Sequence, residues 1–229
     1  MNYNLNLKYD GMLNLNLSNR PGEYFNTQFA DIIYTTEEEA IKAEDAGYDY
    51  EGTKIGFIQL LHYNQALAKV KGVNMSKVKY IALQRGFKAL WELDYTNISQ
   101  ETIDEVGEVS NPNILVISRV GISAAWRNKG IGEQALKGLV TQMIGKCGYI
   151  VILYGNPPQC EDKDDYGSFY ESQGVELAGL EKDSEKAQYK LNAFFQRCGF
   201  RLFKDFDTVF VCNVDQAVPD PVMVKRTEK

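Results

Sequence analysis

The run Arg127-Asn128-Lys129-Gly130-Ile131-Gly132 gathers the residue types that an anion-binding loop needs. Ahead of it, Ile114 to Ile122 is the most strand-like stretch of the chain. Behind it, Ile131, Ala135, Leu136, Leu139, Val140, Met143, Ile144 and Cys147 recur at helical spacing. A helix is therefore predicted from Gly130 to Cys147, closed by Gly148, and the loop opens it directly after a strand. The first turn of a helix leaves backbone N–H groups unpaired, and the helix dipole adds partial positive charge there. Phosphate and pyrophosphate groups use both. Gly130 and Gly132 let the backbone approach such a group. Arg127 and Lys129 add charge, and an arginine can fork two phosphate oxygens. The chemistry this spacing supports is a pyrophosphate cradle.

The same residues also satisfy a looser pattern. Gly130 to Ala135 matches the Gly-x-Gly-x-x-Ala fingerprint of dinucleotide sites. Such a site expects an acidic residue at the end of the following strand, where Tyr154 and Gly155 stand. The motif also lies past the middle of the chain, with no strand–helix–strand half before it. A nicotinamide-dependent enzyme is the weaker alternative.

The stretch from Val120 to Gly132 resembles the central motif of the GCN5-related N-acetyltransferases, in which a strand ends in an apolar residue (here Ile122) five positions before an arginine (here Arg127). Phe194-Phe195-Gln196-Arg197-Cys198-Gly199-Phe200 is similar to the Leu-Tyr-x-x-x-Gly-Phe helix-to-strand motif near that family's C-terminal end. The two occur in the right order, with a strand between them, and the resemblance covers residues 114–214. Asp94 to Thr102 and Asn156-Pro157-Pro158-Gln159 resemble segments of a bacterial branch of the superfamily.

The resemblance implies an α/β (α+β) fold: a mixed, mostly antiparallel sheet whose central parallel pair splays into a cofactor cleft, with helices on both faces. The 114–122 strand would carry a bulge and part from the 149–154 strand. Acetyl-CoA would be the co-substrate. Its pantetheine arm would run along the backbone around Val120, Gly121 and Ile122, with Asn192 as a further contact. Its pyrophosphate would sit on Arg127, Asn128, Lys129, Gly130, Ile131 and Gly132. A backbone N–H near Ile122 would polarise the thioester carbonyl as an oxyanion donor. A primary amine would attack directly, without a covalent enzyme intermediate and without a metal.

Two positions depart from the family pattern. The tyrosine that often protonates the leaving thiolate is replaced by Phe195, and a frequent asparagine seven residues earlier is Gln188. Tyr189, on the same predicted helix, is the candidate general acid. The 114–122 strand holds no Asp or Glu. Glu51, Asp94 and Glu108 near element ends, or a water chain, are left as routes for the amine proton. The missing carriers keep open a second reading, a degenerate acyl-CoA-binding or interaction module without catalysis. The acidic run Glu161-Asp162-Lys163-Asp164-Asp165 is either an attractor for a polyamine, aminoglycoside or lysine-like amine or a solvated loop. Tyr166, Phe169 and Tyr170 beside it either wall a substrate site or pin that loop. The acceptor, small molecule or protein, stays open.

Around this centre the elements follow from patterning. Leu5 and Leu7, then Leu13, Leu15 and Leu17, alternate with asparagines on either side of Asp10-Gly11, a hairpin signal whose edge is a place for a homodimer to form. Residues 19–34 read as irregular. Thr36 and Glu39 have capping-box spacing, predicting a helix to Ala46 that Gly47 stops. Lys54 to Tyr63 reads as a strand, with Gln65 to Lys71 extending it or forming a short second one. Ser76 to Leu93 reads as a helix, and Ser99 starts a short one ending near Gly107. Asn111-Pro112-Asn113 is a loop. Tyr149 to Tyr154 is a continuous apolar strand, buried on both faces and parallel to its predecessor. Residues 155–185 form a polar insertion before a helix from Glu185 to Cys198 and two closing strands, Phe200 to Phe206 and Val209 to Val214. One domain over 1–218, with its cofactor core at 114–214, and a tail at 219–229 is the simplest organisation.

Bulk composition narrows the classes. The 229 residues, 44% hydrophobic and 24% charged, can bury a substantial core. A net charge of -6 and a pI near 5.0 speak against a nucleic-acid partner. No apolar run reaches the roughly 18 residues that span a bilayer, and the start of the chain lacks signal-peptide character, so a cytoplasmic protein without a membrane partner is expected. Cys147, Cys160, Cys198 and Cys212 form no C-x-x-C pair, and His62 is the single histidine. Buried thiols are expected rather than a zinc site or disulfides.

Overall fold

The computed structural model describes residues 3–10, 24–47, 52–73, 99–153, 157–160, 164–203 and 209–217. Its frame is a seven-stranded sheet in the order β1-β2-β3-β4-β5-β7-β6. The strands are β1 (Tyr3–Asp10), β2 (Phe25–Thr36), β3 (Thr53–Tyr63), β4 (Ile114–Ile122), β5 (Tyr149–Leu153), β6 (Arg201–Leu202) and β7 (Val209–Asn213). Every neighbouring pair is antiparallel except β4–β5, which is parallel. The chain is thus a mixed α/β (α+β) fold with one central parallel pair, as expected.

The parallel pair requires a crossover, and α4 (Ile131–Gln142) supplies it. Alternation along β4 feeds two cores. Leu115 and Ile117 face α4 and α6 (Ser184–Arg197), together with Ile150 and Ile152 of β5 and Phe195 of α6. Ile114 and Val116 face the opposite layer, where Ala68 of α2 (Gln65–Val70) and Val106 of α3 (Gln100–Val106) pack. Tyr149 to Ile152 are all at most 2% exposed, which explains why β5 reads as an unbroken apolar run. Helices therefore cover both faces.

Local signals place several boundaries. Thr36 caps α1 (Glu37–Ala46) with a complete capping box, and Gly47 ends it in the left-handed region at φ 73°. Ser99 caps α3 through the Thr102 N–H. Asp183 caps α6, accepting from Lys186 N at 3.0 Å.

Other expectations are corrected. The partner of β1 is β2, which begins at Phe25, inside the stretch read as irregular. The β2 sequence does not announce a strand, because Asn26, Thr27, Gln28 and Asp31 put polar residues on both faces; the register shift opposite Ile32 and Ile33 leaves the extra residue, Ile55, on β3. Leu5 and Leu7 do pack against the core. Gly11 of the expected turn and the leucines at 13, 15 and 17 lie outside the described residues, as do the helix expected over Ser76 to Leu93 and the tail at 219–229. Gln65 to Val70 is helical rather than extended, because Asn64 caps it by accepting from Leu67 N at 2.9 Å. Helix α4 stops at Gln142, and Met143 to Lys146 tighten into turns around Gly145 at φ 75°. The acidic insertion contains a helix of its own, α5 (Asp164–Ser172). No helix among the described residues is long and apolar enough to cross a membrane.

Candidate functional site

The site begins with a bulge. Gln59 of β3 pairs with Arg119 and Leu60 with Ile117, so Ser118 is the extra residue on β4. The parallel register between β4 and β5 runs from Ile114–Tyr149 to Ile117–Ile152 and ends at that same point. Beyond it β4 stays on β3 while β5 stays on β7. The strands part, and a cavity of about 400 Å³ opens between them.

Helix α4 starts at the mouth of this cavity. Its cap is Gly130, at φ 76°, which has no side chain to satisfy the first turn. Asn128 is also left-handed, at φ 58°, a conformation that asparagine tolerates better than most residues. The first helical bond runs from Gln134 N to Gly130 O (3.0 Å), so the N–H groups of Ile131, Gly132 and Glu133 point out of the helix end. A Cβ at Gly132 would lie 3.3 Å from Phe194 Cζ, so glycine lets α6 close over the helix start. At Gly121 a Cβ would come within 2.8 Å of Phe57 and 3.1 Å of Val175.

The walls are apolar and the ends are charged. Leu191, Phe194 and Phe195 of α6 form one side, and Tyr170, Val175 and Leu177 another. Arg119 lies over the Phe169 ring, 4.3 Å from its centroid, and donates from Nη1 to Gln59 Oε1 at 2.8 Å. Glu133, in the first turn of α4, meets Lys137 at 2.7 Å and Arg197 at 3.8 Å. It is the one acidic residue among the described cavity-lining residues. The Arg127 guanidinium is bound to carbonyls: Nε donates to Ile122 O (2.9 Å), Nη1 to Ala178 O (3.2 Å) and Nη2 to Glu176 O. Glu176 returns the link by accepting from Ala124 N at 3.0 Å. That backbone donor holds its carboxyl below the usual range, with the Arg127 charge contributing less.

The structure brings most of the expected cofactor residues together. Val120, Gly121 and Ile122 of β4 line the cavity, as do Arg127, Asn128, Gly130, Ile131 and Gly132. Lys129 does not; its ammonium sits 5.0 Å from the centroid of the Trp126 ring. Asn192 is not among the lining residues, and neither is Tyr189, which is 76% exposed. Phe195 lines the cavity at 2% exposure and packs at a tilt against the Phe210 ring, with centroids 5.3 Å apart. Of the acidic candidates, Glu108 is exposed and outside the lining, while Glu51 and Asp94 lie outside the described residues. His62 pairs with Leu115, at the end of β4 remote from the bulge. The sequence reading missed Ser118 and Arg119; their only signal is that they are the polar pair inside an otherwise apolar strand. Tyr170 it placed beside the acidic run, and the structure puts it in the cavity wall.

Among the described residues, no group of three His, Cys, Asp or Glu side chains is placed to hold a metal ion. In comparison with known proteins, the chain matches no family model and no curated protein sequence.

Proposed function

We propose that this chain is an acetyl-CoA-dependent N-acyltransferase of the GCN5-related type, moving an acetyl group to a primary amine by direct attack. The observation that carries the reading is the parting of β4 from β5 at Ser118, directly in front of an uncapped helix start. A pantetheine arm is an extended chain of amides. It suits a strand edge that has lost its neighbour, between Ser118 and Ile122, backed by the apolar side chains of α6. A pyrophosphate suits the outward N–H groups of Ile131, Gly132 and Glu133. The thioester carbonyl would then face the backbone near Ile122, where an N–H can stabilise the oxyanion. The amine nitrogen bonds to the carbonyl carbon, the C–S bond breaks, the nitrogen loses one proton and the thiolate gains one. A cytoplasmic setting belongs to this reading.

A thermal-shift series with acetyl-CoA, CoA, NAD and ATP tests it. A ligand at a hundred times its Kd adds about 2.7 kcal/mol to the folded state. Acetyl-CoA and CoA are expected to raise Tm, and NAD and ATP to leave it unchanged. A rise with NAD alone overturns the reading.

A second reading, an acyl-CoA-binding module without catalysis, is favoured by specific residues. Phe195 stands where a hydroxyl would serve, Tyr189 lies outside the cavity, and Glu133 is paired with Lys137 and Arg197. Release of free thiol from acetyl-CoA across a panel of amines separates the two: release supports the enzyme, and binding without release supports the module.

A further inference from the structure

We infer that Arg127 is a positioning residue that holds one wall of the cavity in place, and that its contribution to ligand binding comes through that wall rather than through a phosphate. The segment from Val175 to Leu180 presents Val175, Leu177 and Leu180 to the cavity. At one end it is tied to α5 by Val175 N donating to Tyr170 O (2.9 Å). At the other end Glu181 is held by Gln159 and Lys190. Between these ends, the links that cross to the β4–α4 connection are Arg127 Nη1 to Ala178 O, Arg127 Nη2 to Glu176 O, and Ala124 N to Glu176 Oε2.

Arg127 Nε is meanwhile engaged by Ile122 O, which fixes the guanidinium plane from its own side. Three donors of the fork thus point at three backbone carbonyls in fixed directions. While Ile122 O holds Nε, the side-on fork through Nε is closed to a phosphate, and the two Nη nitrogens each already spend a donor on the wall. Lysine keeps the charge but has no planar fork, so it cannot reproduce the three directions. Val175 also packs within 3.1 Å of where a Cβ on Gly121 would lie, so a loosened wall changes the cleft beside β4 itself.

The ligand arm of this inference rests on the acyl-CoA reading; the structural arm does not. Hydrogen exchange on the full chain without ligand is to be compared for wild type, Arg127→Gln, Arg127→Lys and Glu176→Gln. The expected result is exchange about tenfold faster in peptides covering 175–181, with core peptides of β3 and β5 unchanged. Arg127→Lys behaves like Arg127→Gln, and Glu176→Gln shows a smaller rise. Titrations with acetyl-CoA and with acetyl-pantetheine, which carries no phosphate, complete the test. Affinity is expected to fall by a common factor of about tenfold for both ligands in Arg127→Gln.

The inference is overturned if exchange over 175–181 is unchanged, if Arg127→Lys restores wild-type behaviour, or if the loss is confined to acetyl-CoA. If wild type binds neither ligand, the acyl-CoA reading falls, and exchange alone decides the wall. If Arg127→Gln does not fold, Arg127→Lys and Glu176→Gln carry the same comparison.

Discussion

The Ser118 hydroxyl lies 3.1 Å from Gln59 Oε1 and 3.3 Å from the Gln59 carbonyl oxygen, so one serine–glutamine contact marks the place where β4 leaves β5. Gln59 Oε1 also accepts from Arg119, which joins the bulge to the next residue of the cavity wall. Replacing Ser118 by alanine removes the hydroxyl donor and is expected to cost about 1 kcal/mol. Urea unfolding measures this. A double-mutant cycle with Gln59→Ala should show coupling of about 0.5 kcal/mol or more, and strict additivity would mean the contact fixes nothing.

Gly56 and Gly130 are predicted to fail for different reasons. A Cβ on Gly56 would lie 2.3 Å from the Gly121 carbonyl oxygen, so backbone must move. Gly56→Ala is expected to destabilise by about 1–3 kcal/mol and to disturb β4 where it borders the cavity. A Cβ on Gly130 meets nothing within 4 Å, but the residue sits at φ 76°. Gly130→Ala is expected to cost about 1 kcal/mol through backbone strain alone. Chemical denaturation of both variants checks the order; equal costs would remove the distinction.

These two cases show what patterning can and cannot reveal. The β4–loop–α4–β5 unit was legible because its signals are local: an apolar run, glycines at a helix start, then apolar residues at helical spacing. The capping box at Thr36 and Glu39 was legible for the same reason. The resemblance implied a bulge on the 114–122 strand but not its place at Ser118, because a bulge is located by the partner strand, here about sixty residues away in sequence at Gln59. Two of the three carbonyls that bind Arg127 lie 49 and 51 residues on, so the residue reads as a phosphate ligand when its side chain is bound to carbonyls. Strand β2 hid because polar residues, Asn26, Thr27, Gln28 and Asp31, fall on both of its faces.

Tyr189 is the candidate acid that the cavity leaves out. It sits on α6 at 76% exposure, away from Phe194 and Phe195 on the cavity wall. Tyr189→Phe is expected to keep stability within about 0.5 kcal/mol and turnover within about twofold. A steady-state assay on the amine that proves active checks it, and a tenfold loss of kcat would restore Tyr189 to the chemistry.

His62 gives the fold a weakness towards acid. Burial disfavours its imidazolium, so its folded-state pKa lies below the ordinary 6.5. The unfolded chain therefore takes up that proton more readily than the folded one. The stability is present above pH 6.5 and is lost as pH falls from there through the folded-state value. His62→Gln should flatten the dependence of unfolding free energy on pH between 5 and 7, where the carboxylates titrate little. An unchanged slope would place the acid sensitivity elsewhere.

The core thiols act in the opposite direction. Burial raises Cys147 and Cys198 to about 12 and Cys212 to about 11, from an ordinary value of 9.0. Burial likewise raises Tyr149, whose hydroxyl donates to Gly107 O at 2.6 Å, to about 12. In each case the protonated form is the one the fold accepts. Below pH 9 this stabilisation is complete; as pH rises, the unfolded thiols ionise first, and each contributes a loss of up to about 1.4 kcal/mol per pH unit until its folded-state value is reached. Tm should therefore fall between pH 9 and 12, and Cys147→Ala should make the fall shallower. The same burial decides reactivity, because the thiolate is the nucleophile. Cys160 is half-buried, while the other three are at most 6% exposed. Iodoacetamide at pH 8 without denaturant should give one rapid adduct, at Cys160, whose own value is raised by modest burial and the charges of Asp183 and Glu181. Two or more rapid adducts on the native protein would show that the core opens on the timescale of the labelling, and the alkaline prediction would fail with it.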